Sequence, residues 1–273
     1  MTTVARRSRL AGGRVWLWLA AGLAMLFLAA PTLIVVPLSL TSSRFLTFPP
    51  PGWSSQWYAR LFESLDWTNA ALSSLQVGLG TTVCASILGT CAALGLRSDF
   101  PGKEILRAFM LSPLLVPGIV LAIAYYTFFS VMSLQGIRLL DSSISLIIAH
   151  TTITIPFVVV TVTASLANVD QSLMRAAESL GASPSQIFWR VTFPLIRSGI
   201  ATGALFTFLT SFDELIIALF LSGSNVRTLP VRMWDGIRFE VEPTLAAVAT
   251  LLILVSLAVL ATAELLKKNN DRR

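Results

Sequence analysis

Arg175-Ala-Ala-Glu-Ser-Leu-Gly-Ala-Ser-Pro-Ser-Gln-Ile-Phe-Trp-Arg-Val-Thr-Phe-Pro194 is a polar stretch set between two strongly apolar runs. Just ahead of it, Asp170 is placed to cap a helix that begins at Gln171. Leu173, Ala176, Ala177 and Leu180 then recur at i, i+3, i+4 and i+7, which marks one apolar face of a short helix. Gly181 falls where the residue after a helix takes a positive φ, a backbone state that glycine enters without a Cβ penalty. Ser183-Pro184-Ser185-Gln186 reads as the next start: Ser as cap, Pro at the first helical position, Gln three residues on to complete a capping box. A second short helix runs through Ile187, Phe188, Trp189 and Val191 until Pro194 leads into the following apolar run. The expected product is a bent helix–Gly–helix protrusion, small alanines on one arm and bulky aromatics on the other. Crossing a bilayer needs no such elbow; a docking surface for a soluble partner explains it. A hairpin lying on the inner leaflet is the competing reading, and the few basic residues weaken it, because lipid attraction relies on several Lys or Arg.

The rest of the chain is greasy. Of 273 residues, 55% are hydrophobic and 12% charged, with a mean hydropathy of +0.76. Soluble domains carry about 25% charged residues, so the bilayer is the natural solvent here. Apolar runs of spanning length, roughly 20 residues, occur at 15–40, 70–96, 105–130, 142–167, 196–222 and 243–265. The expectation is an all-α membrane protein with six transmembrane helices. Pro156 interrupts the fourth run, and the fifth carries two acids. Pro113, Pro117 and Gly118 should break or kink the third, and freed backbone in a membrane is tolerated where it lines a cavity or packs on protein. That makes the third helix a candidate pore-lining element.

Basic residues orient the spans. With the N-terminus inside, Arg6, Arg7, Arg9, Arg14, Arg97, Lys103, Arg107, Arg175, Arg190, Arg197, Lys267, Lys268, Arg272 and Arg273 lie on the inner side. Only Arg44, Arg60, Arg138, Arg227, Arg232 and Arg238 lie outside. The positive-inside rule then puts both termini and the elbow in the cytoplasm of a bacterial inner membrane. Topology accounts for the basic pI of about 10.0, and nucleic acid need not be invoked. The chain divides into a cytoplasmic tail (1–14), a first transmembrane helix (15–40), an extracytoplasmic loop (41–69), a core of five helices (70–265) carrying the elbow at 168–195, and a second tail (266–273). The first run is longer than the apolar part of a secretory signal, so it reads as an uncleaved helix. In the outer loop, Phe48-Pro-Pro-Pro-Gly-Trp53 and Gln56-Trp57-Tyr58 combine extended, proline-stiffened backbone with aromatics suited to the membrane interface. Cys84 and Cys91 lie seven apart on one helix, about 10 Å along its axis, too far to bridge; they read as packing residues. Gly199 and Gly203 form a GxxxG that permits close helix approach.

The elbow resembles the Glu-Ala-Ala loop of ABC importer permeases: Glu-Ala-Ala, three residues, Gly, nine residues, Ile, one residue, Leu-Pro. Here the same spacing holds Arg175-Ala176-Ala177, Gly181, Val191 and Phe193-Pro194. Arg175 replaces the first Glu, with Glu178 three residues on, so a contact made by that Glu in the family is altered here. Phe48-Pro-Pro-Pro-Gly-Trp53, Ser211-Phe-Asp-Glu214 and Thr228-Leu-Pro-Val-Arg-Met-Trp234 resemble the spermidine/putrescine-type subfamily, in particular its second permease subunit. The resemblance implies a type I importer transmembrane domain whose cytoplasmic coupling helix docks on an ATPase. It also implies a second homologous permease as heterodimer partner, two ATP-binding cassette subunits and an extracytoplasmic solute-binding protein. Arg175, Ala176, Ala177, Glu178, Gly181, Ser183, Pro184, Val191 and Pro194 are the expected ATPase-coupling residues.

Asp213 and Glu214 are the two acids within the membrane, past the middle of the fifth run toward the outer side. A carboxylate at that depth should face a cavity, a partner or a cation. For a cationic cargo such as a polyamine, acids supply transient counter-charge; alternatively, one of them latches to Arg227, Arg232 or Arg238. Ser211 and Thr207 belong to the same candidate path. His150, the single histidine, has no acid within two turns of its own helix and reads as a packing residue rather than a proton relay. No metal cluster, cofactor site or nucleophile–base pair is visible, and Gly102-Lys103 lacks the rest of a Walker A loop. ATP hydrolysis is therefore assigned to another chain. Ferric iron, an opine-like amino-acid derivative and an oxyanion are the alternative cargoes. An ion-driven secondary transporter is the alternative class, disfavoured because helices 1–3 show no clear repeat in 4–6.

Overall fold

A computed structural model describes residues 3–239 and 241–270. Arg272 and Arg273 of the inner charge set, and Glu240, lie outside the described residues. The described chain is almost wholly helical and forms two compact units, Met1–Ser64 with Gly236–Leu254 and Leu65–Asp235 with Val255–Arg273.

In the first unit, α1 (Thr3–Ser39) contains the span Trp16–Ser39, of which only Ser39 is buried within the chain. The loop after it is a small hairpin. Ser42 N–H donates to the Gly52 carbonyl (3.0 Å), Thr41 pairs with Trp53, and the Trp57 indole donates to the Thr41 carbonyl (2.8 Å). That loop carries a helix of its own, α2 (Gln56–Glu63), which turns Trp57 and Leu61 inward. The expected outer loop 41–69 is therefore shorter than the sequence suggests. Its last residues open α3 (Leu65–Gly95), for Leu65-Asp-Trp-Thr begins a helix five residues ahead of the apolar run.

The second unit is built on three helices that pack side by side: α3, α6 (Ser143–Ala167) and α9 (Phe193–Phe212). Small residues set their spacing. A Cβ on Gly89 would meet Val158 Cβ at 2.6 Å, and one on Gly203 would meet Val158 Cα at 2.9 Å. Val158 is thus gripped from both sides, by α3 and by α9. At Gly199 an added Cβ would lie 2.7 Å from the Thr161 carbonyl. The Gly199–Gly203 pair is a true close approach. Pro156 does not interrupt α6, which runs unbroken through it. Cys84 and Cys91 are free and exposed on α3, not packed within the chain.

The third apolar run does break. α4 (Lys103–Leu111), continued by a tight turn at Ser112–Leu114, meets α5 (Gly118–Leu134) at 100°. Pro113 and Pro117, which lack N–H donors, stand at the corner, as their chemistry requires. The described chain has four helices long and apolar enough to span, or five if this bent pair is one span. A shorter apolar helix, Thr244–Ala258, forms the first part of α12 (Thr244–Asn270).

Candidate functional site

The elbow is built as its capping residues dictate. Asp170 Oδ1 accepts the Ser172 N–H (2.8 Å) at the start of α7 (Gln171–Ser179). The Ser172 N–H and the Ser172 side chain, with help from Arg175, hold the exposed Asp170 carboxyl below the usual carboxylate range. At the other end Gly181 has φ +79°. Its N–H reaches the Glu178 carbonyl (2.9 Å) and the Ala182 N–H reaches Ala177 (3.1 Å), which is Schellman closure. α8 (Pro184–Ile187) then starts on a complete capping box: Ser183 N–H to Gln186 Oε1 at 2.9 Å, and Gln186 N–H to Ser183 Oγ at 3.4 Å.

Pro194 does not end the second arm, although the sequence points to a stop there. The chain passes from α8 through one wide π-turn, Phe188–Thr192, straight into α9. A proline at the second position of α9 lacks the donor for the turn before it, and the wider turn absorbs the mismatch. Val191 and Pro194 therefore stand on a rigid continuation of the membrane helix. The Met174 sulfur fastens α7 to that body, receiving the Arg97 guanidinium and, at 3.9 Å, the Thr192 hydroxyl. Outward, the expected apolar face of α7 is largely uncovered among the described residues: Leu180 is 88% exposed and Leu173 48%. Arg175, Ala176, Glu178, Ser183 and Pro184 are exposed or half-exposed beside it, and Ala177 is partly so.

At the other end of α9 the helix stops at Phe212 and a six-residue helix, α10 (Ile216–Leu221), follows. The two acids at the break are not equivalent. Asp213 is exposed. Glu214 folds back on α10: Oε1 accepts the Ile216 N–H (3.1 Å), and Oε2 accepts Ile217 (2.9 Å) and Ala218 (3.1 Å). Ser211 and Thr207, expected on the same path, are both buried. Ser211 Oγ lies 2.8 Å from His150 Nδ1, and His150 Nε2 lies 3.7 Å from Glu214 Oε2. His150 therefore does have an acid beside it, brought across from the break between α9 and α10.

Among the described residues, the arginines expected as latches pair elsewhere. Arg227 reaches Asp235 at 3.3 Å, Arg232 stacks over Trp67 at 4.6 Å, and Arg238 sits over Phe239. Sequence reasoning misses Asp141, a non-glycine residue at φ +58°. Its carboxylate accepts the backbone N–H of Asn225 (2.9 Å) and Val226 (3.0 Å) and the Asn225 amide (3.0 Å), fixing the loop after α10. Partial burial pushes this carboxyl up, but the backbone donors outweigh it and hold the group low. Its tolerance of left-handed backbone is the one available signal.

The family described as binding-protein-dependent transport system inner membrane component matches residues 85–273. The chain belongs to that family. Spermidine/putrescine transport system permease protein PotC of Haemophilus influenzae is 31% identical over 247 residues, 90% of this chain and 93% of that protein. Putrescine transport system permease protein PotI of Escherichia coli K12 is 32% identical over 230 residues, 83% of this chain and 82% of that protein. A bacterial ABC transporter that imports the acidic polysaccharide alginate shares the fold at TM-score 0.73 and 15% identity, covering 97% of this chain and 99% of that one. The MetNI methionine ABC transporter shares it at TM-score 0.59 and 16% identity, covering 80% and 99%. This protein is thus an inner-membrane permease subunit of an ABC importer, and a separate subunit hydrolyses the ATP.

Proposed function

We propose that the cargo is a small organic cation of the polyamine class, passed from an extracytoplasmic binding protein to the cytoplasm by alternating access. The observation that carries this is the likeness, near 31% identity over most of the chain, to permeases named for spermidine and putrescine. An exposed carboxylate at the α9–α10 break supports it, since Asp213 offers a cation the counter-charge that lipid cannot. Glu214, its carboxylate occupied by three N–H donors, holds the break. Ser211, bonded to His150, braces the same helix from within, and Thr207 is buried on it.

On the opposite side, Arg175, Ala176, Ala177, Glu178, Gly181, Ser183, Pro184, Val191 and Pro194 form the coupling surface. Leu180 and the exposed part of Leu173 enter a groove of the ATPase. Both termini and the elbow are cytoplasmic, and a homologous second permease completes a heterodimer. Arg175, where the Glu-Ala-Ala pattern carries Glu, meets an acidic rather than a basic rim on the ATPase.

The test is ATP-driven uptake of radiolabelled spermidine and putrescine by the complex reconstituted with its binding protein. Asp213→Asn should lower uptake while the complex still assembles. Undiminished uptake in Asp213→Asn would remove this carboxylate from the path, and uptake of neither polyamine by the unaltered complex would remove the cargo class.

A further inference from the structure

The helix α6 contributes one buried group that neither packing nor the coupling surface explains. His150 is fully buried, and its two ring nitrogens are treated unequally. Nδ1 has a partner, the Ser211 hydroxyl at 2.8 Å on α9. Nε2 has no hydrogen-bond partner among the described residues, yet it faces Glu214 Oε2 at 3.7 Å. That separation exceeds the 2.7–3.2 Å of a normal N–H···O bond, but a shift of about half an ångström closes it.

We propose that His150 is a positioning residue of the transport path. It sets Glu214, and through Glu214 the α9–α10 break that carries Asp213. The tautomer follows from the surroundings: an N–H on Nε2 faces a carboxylate, so Nδ1 accepts from the Ser211 O–H. A proton-bearing Nδ1 would turn a bare lone pair on Nε2 toward the same carboxylate, which repels it.

The mechanical part rests on packing. α6 and the body of α9 are locked by Gly199 and Gly203, where a single added carbon would collide with Thr161 and Val158. α10 packs instead against α5 and the first turns of α6, with Ile217, Ala218 and Leu221 among Ala122, Phe129, Leu146 and Ala149. Between α9 and α10 the backbone is non-helical at Asp213–Leu215. Glu214 spans this gap, bound to α10 by three N–H donors and facing His150 on the locked side. The ring therefore sets how the break, and the exposed Asp213 in it, is held against α6.

This inference rests on the reading of Asp213 as the path carboxylate, so one readout is independent of cargo. In a Cys84→Ser, Cys91→Ser background, Asp213→Cys is labelled in the assembled complex with a cationic, membrane-impermeant methanethiosulfonate. Gln at position 150 places an amide N–H where Nε2 lies; Asn reaches only as far as Nδ1. His150→Asn should change the labelling rate by about fivefold, one hydrogen bond's net contribution, while His150→Gln stays close to the parent. Glu214→Gln, which replaces one carboxylate oxygen by an amide and removes the charge, should change the rate in the same direction, and adding His150→Asn to it should change little more. This pair keeps the test decisive if His150→Asn alone fails to assemble. Equal rates in all variants, or a His150→Gln no better than His150→Asn, would overturn the positioning role. In parallel, the same His150 variants with Asp213 intact are assayed for spermidine uptake. His150→Asn should raise the KM more than it lowers the maximal rate. A labelling change without a KM change would leave the positioning role standing and remove Asp213 from the path.

Discussion

Replacing Gly181 tests the coupling elbow through its backbone alone. The residue sits at φ +79°, and an added Cβ would meet no atom within 4 Å. A Cβ therefore strikes nothing among the described residues, and the cost is that of a left-handed L-residue, about 1–2 kcal/mol. At 1.4 kcal/mol per factor of ten, that cost lowers the population of the bent conformer about 5- to 30-fold relative to alternatives. Asn tolerates this region better than Ala, and a β-branched Val worse. The expected ranking of ATPase affinity for the permease is thus Gly181 > Asn > Ala ≈ Leu > Val. It is measured as the ATPase-subunit concentration giving half-maximal ATP hydrolysis on permease complexes in nanodiscs. A flat series would show that the bend contributes nothing to docking. A loss that grows from Ala to Leu, with Asn no better than Ala, would refute the backbone reasoning and place a partner atom against Gly181 instead.

Other outcomes follow from packing and charge. Gly203→Ala should lower thermal stability in detergent, because overpacking costs about 1–3 kcal/mol and the obstructing Val158 Cα is backbone. Gly95→Ala, with nothing within 4 Å, should be neutral or gain up to about 1 kcal/mol from helix propensity; equal effects would contradict the close packing at Gly203. Asp141 carries a depressed pKa, so its contribution is fully present above the unfolded value near 3.9 and is lost as pH falls through the lower folded value. Amide exchange in the loop 222–228 should accordingly stay protected at neutral pH and open below about pH 4. Asp141→Asn should show opening at neutral pH with no further acid step, and a retained acid step would assign it to another group.

What the chain discloses by itself is local. Asp170, Gly181 and the Ser183–Gln186 box each act on backbone within four residues, so the elbow is legible in the sequence. So is the corner at Pro113 and Pro117. The misleading positions are those where a neighbour overrides a local rule. Pro194 looks like a stop, yet a π-turn carries the helix through it; Pro156 looks like an interruption, yet α6 continues. The site at the α9–α10 break is half visible. Two adjacent acids in an apolar run announce it, but only the fold separates an exposed Asp213 from a Glu214 tied to three N–H groups. The histidine that faces Glu214 lies 64 positions away along the sequence, on α6. No periodicity could join them.

Where the elbow lies and what touches it can be measured directly. Single cysteines at Leu180 and Ser185, both exposed, would be introduced with Cys84 and Cys91 replaced by Ser, and treated with a bifunctional maleimide in membranes carrying the full complex. A cytoplasmic coupling elbow predicts a crosslink to the ATPase subunit whose yield changes on ATP binding, and no reaction with an impermeant thiol reagent added outside intact cells. Labelling from the outside, or neither cysteine reaching the ATPase, would contradict it.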